Sequence, residues 1–258
     1  IELTSTSSEE ILELINNFNF LDKFPKIEFD QLKINSALNK GLFKIDTLNI
    51  IDGESSATIS GEIDIYNKNN RKLEIKLTKF NQFDLFPFPQ LEEILTSLDT
   101  NYIDLDCFLT DTNLEIVNLE IPVSGNSNLN ITGDVNLKNF KETLLNIKFN
   151  GIRPFHIKTI LDQTNQLTYL NYIELINFEE IQGSIFLDLK ENSTLINGIE
   201  FIQEDNIIGN ISGEISSSQF KGSVNFEKIN INQLDKKFFK TNRIKGFINV
   251  DLVAPNFI

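Results

Sequence analysis

The amino-acid sequence predicts a mainly β protein, because apolar and polar residues alternate with period two along most of the chain. In the segment 57–65 the odd positions are Ala, Ile, Gly, Ile and Ile, and the even positions are Thr, Ser, Glu and Asp. Such alternation gives a strand one apolar face and one polar face, as is usual in antiparallel sheets. The same alternation occurs at 73–77, 103–109, 129–137 and 181–189.

A glycine recurs inside these strands, on the apolar side and between two hydrophobic residues. Because glycine weakens a strand, its recurrence predicts a bend, a bulge or space for a close approach. Two explanations are open at this point: relief of crowding beneath Phe-rich neighbours, or space that a ligand needs. The glycines with this pattern are Gly61, Gly133, Gly183, Gly213, Gly222 and Gly246.

Three of these glycines belong to an internal repeat. The pentapeptides at 59–63, 131–135 and 211–215 read Ile-Ser-Gly-Glu-Ile, Ile-Thr-Gly-Asp-Val and Ile-Ser-Gly-Glu-Ile, and their glycines are 72 and 80 residues apart. A period of this size is typical of a chain built from successive structural modules.

Hydrophobic residues at helical spacing follow the strands of the first two copies and predict short helices between modules. A further helix start is predicted near the beginning of the chain, where Ser7 and Glu10 have the spacing of a capping box. The helical stripes consist of Leu91, Ile94, Leu95 and Leu98, and of Ile157, Ile160 and Leu161 behind Pro154.

These patterns divide the chain into four segments. We expect a helical segment that closes a preceding module at 1–26, and β-modules at 27–100, 101–175 and 176–258. The chain opens on Ile1 and contains no Met, so we expect a section of a longer protein. No apolar stretch of about 18 residues is present, which places any membrane anchor outside these residues.

Charge and composition exclude one class of partner. The 37 acidic and 23 basic residues give a net charge of −14, which would repel a nucleic acid. At 40% hydrophobic residues, the chain can bury a sizeable core.

Residues that could carry catalysis or bind metal are few. His156 is the only histidine and Cys107 the only cysteine, so a zinc site is not expected. Neither a nucleophile elbow nor a glycine-rich phosphate loop is present. We therefore expect no enzymatic activity and no cofactor, and we interpret Cys107 as a small hydrophobic residue of the apolar face.

An acidic cluster invites comparison with a calcium loop. Asp104, Asp106 and Glu115 have the spacing of loop positions one, three and twelve. However, Phe108 and Leu109 stand where a ligand and an obligatory glycine are needed. We therefore assign Asp104 and Asp106 to the polar face of a strand.

Three segments together resemble the AsmA-like superfamily of envelope proteins: Phe-Asp-Gln-Leu at 29–32, Gly-Leu-Phe-Lys-Ile-Asp-Thr-Leu at 41–48, and Ala-Thr-Ile-Ser-Gly-Glu-Ile-Asp-Ile at 57–65. The resemblance extends over about 27–250. It implies a long, twisted and curved antiparallel sheet that forms an open hydrophobic groove. It also implies a body in the periplasm of a diderm bacterium, anchored to the inner membrane by a segment outside this chain.

The function implied by this resemblance is the transfer of phospholipid between inner and outer membranes, with acyl chains as ligands and outer-membrane components as further partners. The alternative is a structural or adhesive β-repeat with a closed core and no lipid ligand, since alternation alone does not distinguish a filled core from an open groove. The residues expected to line the groove share the register of the repeated glycine: Ile59, Gly61, Ile63, Ile65, Ile131, Gly133, Val135, Leu137, Ile211, Gly213 and Ile215.

Overall fold

A computed structural model describes residues 2–5, 29–64, 66, 70–81, 95, 98–123, 125–163, 178–216, 219–226 and 248–250. Within these ranges fourteen strands are hydrogen-bonded in chain order into one sheet. The strands are β1 (Glu2–Ser5), β2 (Gln31–Asn39), β3 (Leu42–Asp52), β4 (Ser55–Asp64), β5 (Arg71–Phe80), β6 (Ile103–Thr110), β7 (Asn113–Pro122), β8 (Asn128–Asn136), β9 (Leu144–Ile152), β10 (Glu180–Asp188), β11 (Ser193–Gln203), β12 (Asn206–Ser216), β13 (Gln219–Phe226) and β14 (Ile248–Val250).

The sheet confirms the predicted mainly β, antiparallel fold. Its central part, from β2 to β13, consists of twelve antiparallel strands and does not close on itself. The last described strand differs, because β14 pairs with β13 in parallel. Connections between successive antiparallel strands are as short as two residues, which is typical of tight β-hairpins.

Besides the single helical residue Leu95, two helical elements accompany the strands in the described residues. One is a 3₁₀ turn, η1 (Phe140–Glu142), and the other is an α-helix, α1 (Pro154–Gln163). Helix α1 begins at Pro154, just before the second predicted stripe. Proline is favoured at the first helical position because its ring fixes φ at a helical value. The helix predicted from Ser7 lies outside the described residues, and the chain before it contains β1.

The first predicted stripe is described only at its end. Leu95 has helical backbone, Asp99 has a φ of +58°, and the Thr100 N–H donates a 3.1 Å hydrogen bond to the Leu95 carbonyl. This geometry is the Schellman motif that terminates a helix. Leu91 and Ile94 lie outside the described residues, so a helix after every module stays a prediction.

The strands repeat in groups of four. The predicted modules 27–100 and 101–175 contain β2 to β5 and β6 to β9, and the segment 176–258 contains β10 to β13 and also β14. In every group the second strand has an irregular register with a neighbour. The predicted module boundaries themselves stay a prediction.

By contacts between Cα atoms the chain divides into two compact units. The first comprises Ile1–Glu92, Asn101–Ile121 and Thr132–Asn139, and the second comprises Glu93–Thr100, Pro122–Ile131 and Phe140–Ile258. The buried hydrophobic residues of the first unit are Ile45, Ala57, Ile103, Cys107 and Ile121.

The second unit has a contiguous core. Leu98, Val123, Phe149 and Ile152 are buried against one another. Ile157 of α1 packs against this cluster, so the helix and the end of the preceding helical segment cover part of the apolar face. The strand residues that also pack there are Leu129, Ile181, Ile185 and Ile199.

Candidate functional site: the apolar face of the sheet

Strand register aligns the apolar residues into rows that cross the sheet at right angles to the strands. Directly opposite residues in adjacent strands have Cβ atoms about 4.5–5.5 Å apart, so each row is continuous. One row of the first unit runs from β2 to β7 through Ile34, Leu48, Ile59, Ile75, Cys107 and Ile116. The predicted residue Ile59 therefore lies in the middle of an unbroken apolar row.

The second unit has rows of the same kind. The predicted residues Ile211 and Gly213 occupy two adjacent rows on β12. The first row consists of Phe149, Gly183, Ile199, Ile211 and Val224. The second consists of Ile147, Ile185, Ile196, Gly213 and Gly222.

Most of the predicted groove residues are half-buried rather than sealed. Ile215 is 40% exposed. Ile65 lies outside the described residues. The half-buried positions are Ile59, Gly61, Ile63, Ile131, Gly133, Val135, Leu137, Ile211 and Gly213. Leu137 directly follows β8 and donates its N–H to the Thr112 carbonyl at 2.8 Å.

Two of the repeated glycines, Gly61 and Gly213, lie beside β-bulges, which is one of the predicted reasons for a glycine inside a strand. Gly61 faces Ile45, and the register of β3 then advances to Leu48 while β4 moves only to Ile59. Gly213 faces Ile196 before the same kind of shift. A bulge of this type bends its strand and increases the local twist.

The space beside two of these glycines is occupied by backbone. A Cβ at Gly61 would overlap the carbonyl oxygen of Lys72, and a Cβ at Gly183 would overlap the carbonyl oxygen of Gly198. Their φ angles of +133° and +154° are also ones that L-residues rarely adopt. The close approach is that of the neighbouring strand, which accounts for both glycines without a ligand.

The opposite face of the sheet in the first unit carries paired charges. Lys76 on β5 lies 3.1 Å from Asp106 on β6. The Asp104 carboxylate accepts the backbone N–H of Lys79 at 2.8 Å. Both aspartates of the considered calcium loop thus have protein partners on the polar face, as predicted. The described residues contain no group of three acidic, His or Cys side chains that could hold a metal ion.

Cys107 lies within the apolar row and is 2% exposed. Burial, with a smaller contribution from the negative charge of Asp106, raises the pKa of its thiol to about 11. The thiol is therefore protonated at neutral pH, and its surroundings are those of a small core hydrophobe rather than a reactive nucleophile.

His156 is fully buried at the third position of α1. Its Nδ1 accepts a 3.2 Å hydrogen bond from the backbone N–H of Arg153. The residue directly before the helix thus has a hydrogen-bond acceptor for its N–H. This is the reciprocal bond of a capping box, with an imidazole in place of the usual carboxylate. Burial, and then the positive charge of Arg153, lower the pKa of His156, while Asp99 acts in the opposite direction.

One cluster of the apolar face was not foreseen from the sequence. Phe201 contacts both Phe178 and Phe226, with ring centroids 5.2 and 5.0 Å away in edge-to-face geometry. Between Phe201 and Phe226 lies Gly209, and a Cβ there would overlap the Phe226 ring. The only sign of this cluster in the sequence is a glycine between two phenylalanines of adjacent strands. That arrangement can be recognised only when the register of the strands is known.

No protein-family model, curated protein or solved structure matches this chain. The resemblance to the AsmA-like superfamily therefore stays a prediction. Among the helices in the described ranges, none has the length and apolar character needed to cross a membrane.

Proposed function

We propose that this chain is a section of an AsmA-like protein that shields phospholipid acyl chains during transfer between inner and outer membranes. The observation that carries the proposal is the set of unbroken apolar rows on a sheet that does not close, with side chains left half-buried. A sealed core would hide such residues, whereas a ligand-binding face leaves part of each one accessible.

The dimensions of a row suit an acyl chain. Six strands at about 4.8 Å spacing give a row roughly 24 Å long. One leaflet of a bilayer has a hydrocarbon thickness of about 15 Å, half of the full core. A single row of the first unit is thus long enough to lie beneath one extended acyl chain.

The energetics call for continuous shielding. Each methylene transferred from water to an apolar surface is worth about 0.8 kcal/mol, so a 16-carbon chain gains roughly 13 kcal/mol. Gaps in the apolar surface would forfeit part of this gain. Directly opposite side chains in successive strands provide a surface without such gaps, as in the row that contains Ile59 and Ile75.

Shielding of this kind requires no chemical step, so we propose a non-enzymatic carrier in the periplasm. It would be held at the inner membrane by an anchor outside this chain and would deliver lipid to outer-membrane components. The paired charges of the polar face, such as Lys76 with Asp106, would keep the other side of the sheet in water.

A structural or adhesive β-repeat with a closed core is the second candidate. One observation favours it: the cluster of Leu98, Val123, Phe149 and Ile152 seals part of the apolar face of the second unit. In that case binding would use exposed loops, and no lipid would be present.

Extraction of the purified protein with organic solvent, followed by mass spectrometry, tests the proposal. Co-purified phospholipid, together with saturable uptake of a fluorescent fatty acid, is the expected result. A lipid-free protein that also fails to take up the fatty acid would favour the closed-core repeat.

A further inference from the structure

Three large apolar side chains protrude at one end of the first unit. Leu38 is 60% exposed, Leu42 is 39% exposed and Tyr66 is 85% exposed. Leu38 and Leu42 belong to the hairpin that joins β2 to β3, and Tyr66 follows β4. Single exposed hydrophobes are common, but a group of them marks an interaction surface. We refer to residues 38–42 together with Tyr66 as the hairpin tip.

Apolar side chains lie on both faces of this tip. Lys40 and Gly41 form the two-residue turn, with φ angles of +48° and +86°. Leu42 pairs with Asn39, and Leu38 belongs to the next pair, so the two leucines lie on opposite faces of the hairpin. The Tyr66 ring lies against the turn, because a Cβ at Gly41 would overlap it.

The charge at the tip differs from that at the other end of the same strands. The turn of the tip carries an exposed lysine, Lys40, and no acidic residue, while Asp64, the partner of Leu42 across the sheet, accepts the Tyr66 N–H at 2.9 Å. The turn that joins β3 to β4 carries Asp52 and Glu54, and the Asp30 carboxylate accepts the N–H of Gly53 in that turn. In a chain of net charge −14, the tip is thus a place where an anionic surface is not repelled by the turn.

We propose that the hairpin tip inserts into the interface of a phospholipid bilayer that contains anionic lipids. A protein partner packing on the sheet would cover one face of the hairpin, whereas lipid surrounds an inserted tip and covers both leucines. A tyrosine ring prefers the boundary between headgroups and acyl chains. The lysine at the apex can lay its aliphatic stem along this boundary while its ammonium group reaches a phosphate.

The inference does not depend on acyl-chain shielding, since it concerns the hairpin tip and not the apolar face. A wild-type protein that binds vesicles without taking up a fatty acid supports insertion of the hairpin tip and contradicts the proposed function. The opposite result, uptake of the fatty acid without vesicle binding, contradicts insertion of the hairpin tip and leaves the proposed function standing.

Co-sedimentation of the full chain with vesicles of phosphatidylcholine and phosphatidylglycerol provides the test. We expect the double variant L38S/L42S to lower the partition coefficient by about tenfold or more, because two apolar side chains leave the interface. The matched control is I51S, at the opposite end of β3, where Ile51 is 36% exposed. It should partition as the wild type does. K40E should weaken binding to the mixed vesicles and leave binding to pure phosphatidylcholine unchanged.

Three outcomes would overturn the inference. They are a wild-type protein that stays in the supernatant, a loss in I51S equal to that in L38S/L42S, and a double variant that partitions like the wild type. A wild-type dimer in gel filtration that L38S/L42S converts to a monomer would reassign the tip to self-association. Thermal unfolding checks that the variants fold, and Y66S replaces the double variant if the latter does not.

Discussion

At the scale of single residues, the recurring glycine is explained by the backbone of the next strand. Gly61 has no room for a Cβ because the Lys72 carbonyl fills that position, and its φ of +133° is unfavourable for any other residue. The alternation of the sequence placed this glycine correctly on the apolar side. The identity of the group that approaches it follows only from the pairing of β4 with β5.

Substitution of Gly61 by alanine should therefore destabilise the fold through two separate effects. Gly198 provides the matched control, because its φ is +142° but nothing lies within 4 Å of a Cβ there. The backbone strain should cost about 1–3 kcal/mol at either site. In urea-induced unfolding, G61A should lose more unfolding free energy than G198A, because only G61A adds an overlap with backbone atoms. Equal losses would contradict the assigned overlap.

His156 shows a second case in which a residue's place was predictable and its contact was not. The proline at 154 indicates a helix start, but the bond from the Arg153 N–H to Nδ1 depends on the rotamer of a buried ring. Since His156 is the only histidine, its imidazole resonances in a proton NMR titration are unambiguous. We expect a midpoint below the ordinary value of about 6.5.

The direction of the pKa change has a consequence for stability. Below pH about 6.5 the unfolded chain protonates this histidine before the folded protein does, so the free energy of unfolding falls as the pH is lowered through that range. In H156Q this contribution is absent. As the pH is lowered from 7 to 5, the unfolding free energy of the wild type should therefore decrease more than that of H156Q. A difference that stays constant with pH would contradict a buried, neutral imidazole.

At the scale of elements, period two and helical spacing predicted much of the described secondary structure. Period-two alternation is a local property, so the strands at 57–65 and 103–109 could be recognised from their own residues. The bulges in β3 and β11 could not, because a bulge is a mismatch between two strands and neither sequence contains it alone. The rows of the apolar face depend on the same registers.

The aromatic cluster of β11 to β13 tests that register. G209A should overlap the Phe226 ring and cost about 1–3 kcal/mol, as overpacking usually does. F226A should cost about 3–5 kcal/mol because it leaves a cavity beside Phe201. In the double variant the new methyl group enters that cavity, so the loss should be smaller than the sum of the single losses. Additive losses would show that Gly209 and Phe226 are not opposed.

At the scale of the whole molecule, the acidic balance and the repeat acquire a physical interpretation. Carboxylates such as Glu62 and Asp134 are exposed on strands whose neighbouring positions belong to the apolar face. Exposed charges of this kind favour contact of the polar positions with water. Because the sequence repeats, each copy carries the same alternation of apolar and polar positions.

Acyl-chain shielding requires that the apolar face, and not the polar face, contacts the ligand. The chain contains no Trp, so a single introduced tryptophan is a unique fluorophore. Ile63 and Glu62 are neighbours on β4 that lie on opposite faces, the first half-buried and the second exposed. They form a matched pair of reporter positions in the first unit.

Quenching of the introduced tryptophan by a fatty acid with a brominated acyl chain reports which face the ligand contacts. We expect saturable quenching of the I63W variant and little quenching of E62W at the same ligand concentration. Equal quenching of the two variants, or quenching of neither while both remain folded, would contradict acyl-chain shielding by the apolar face.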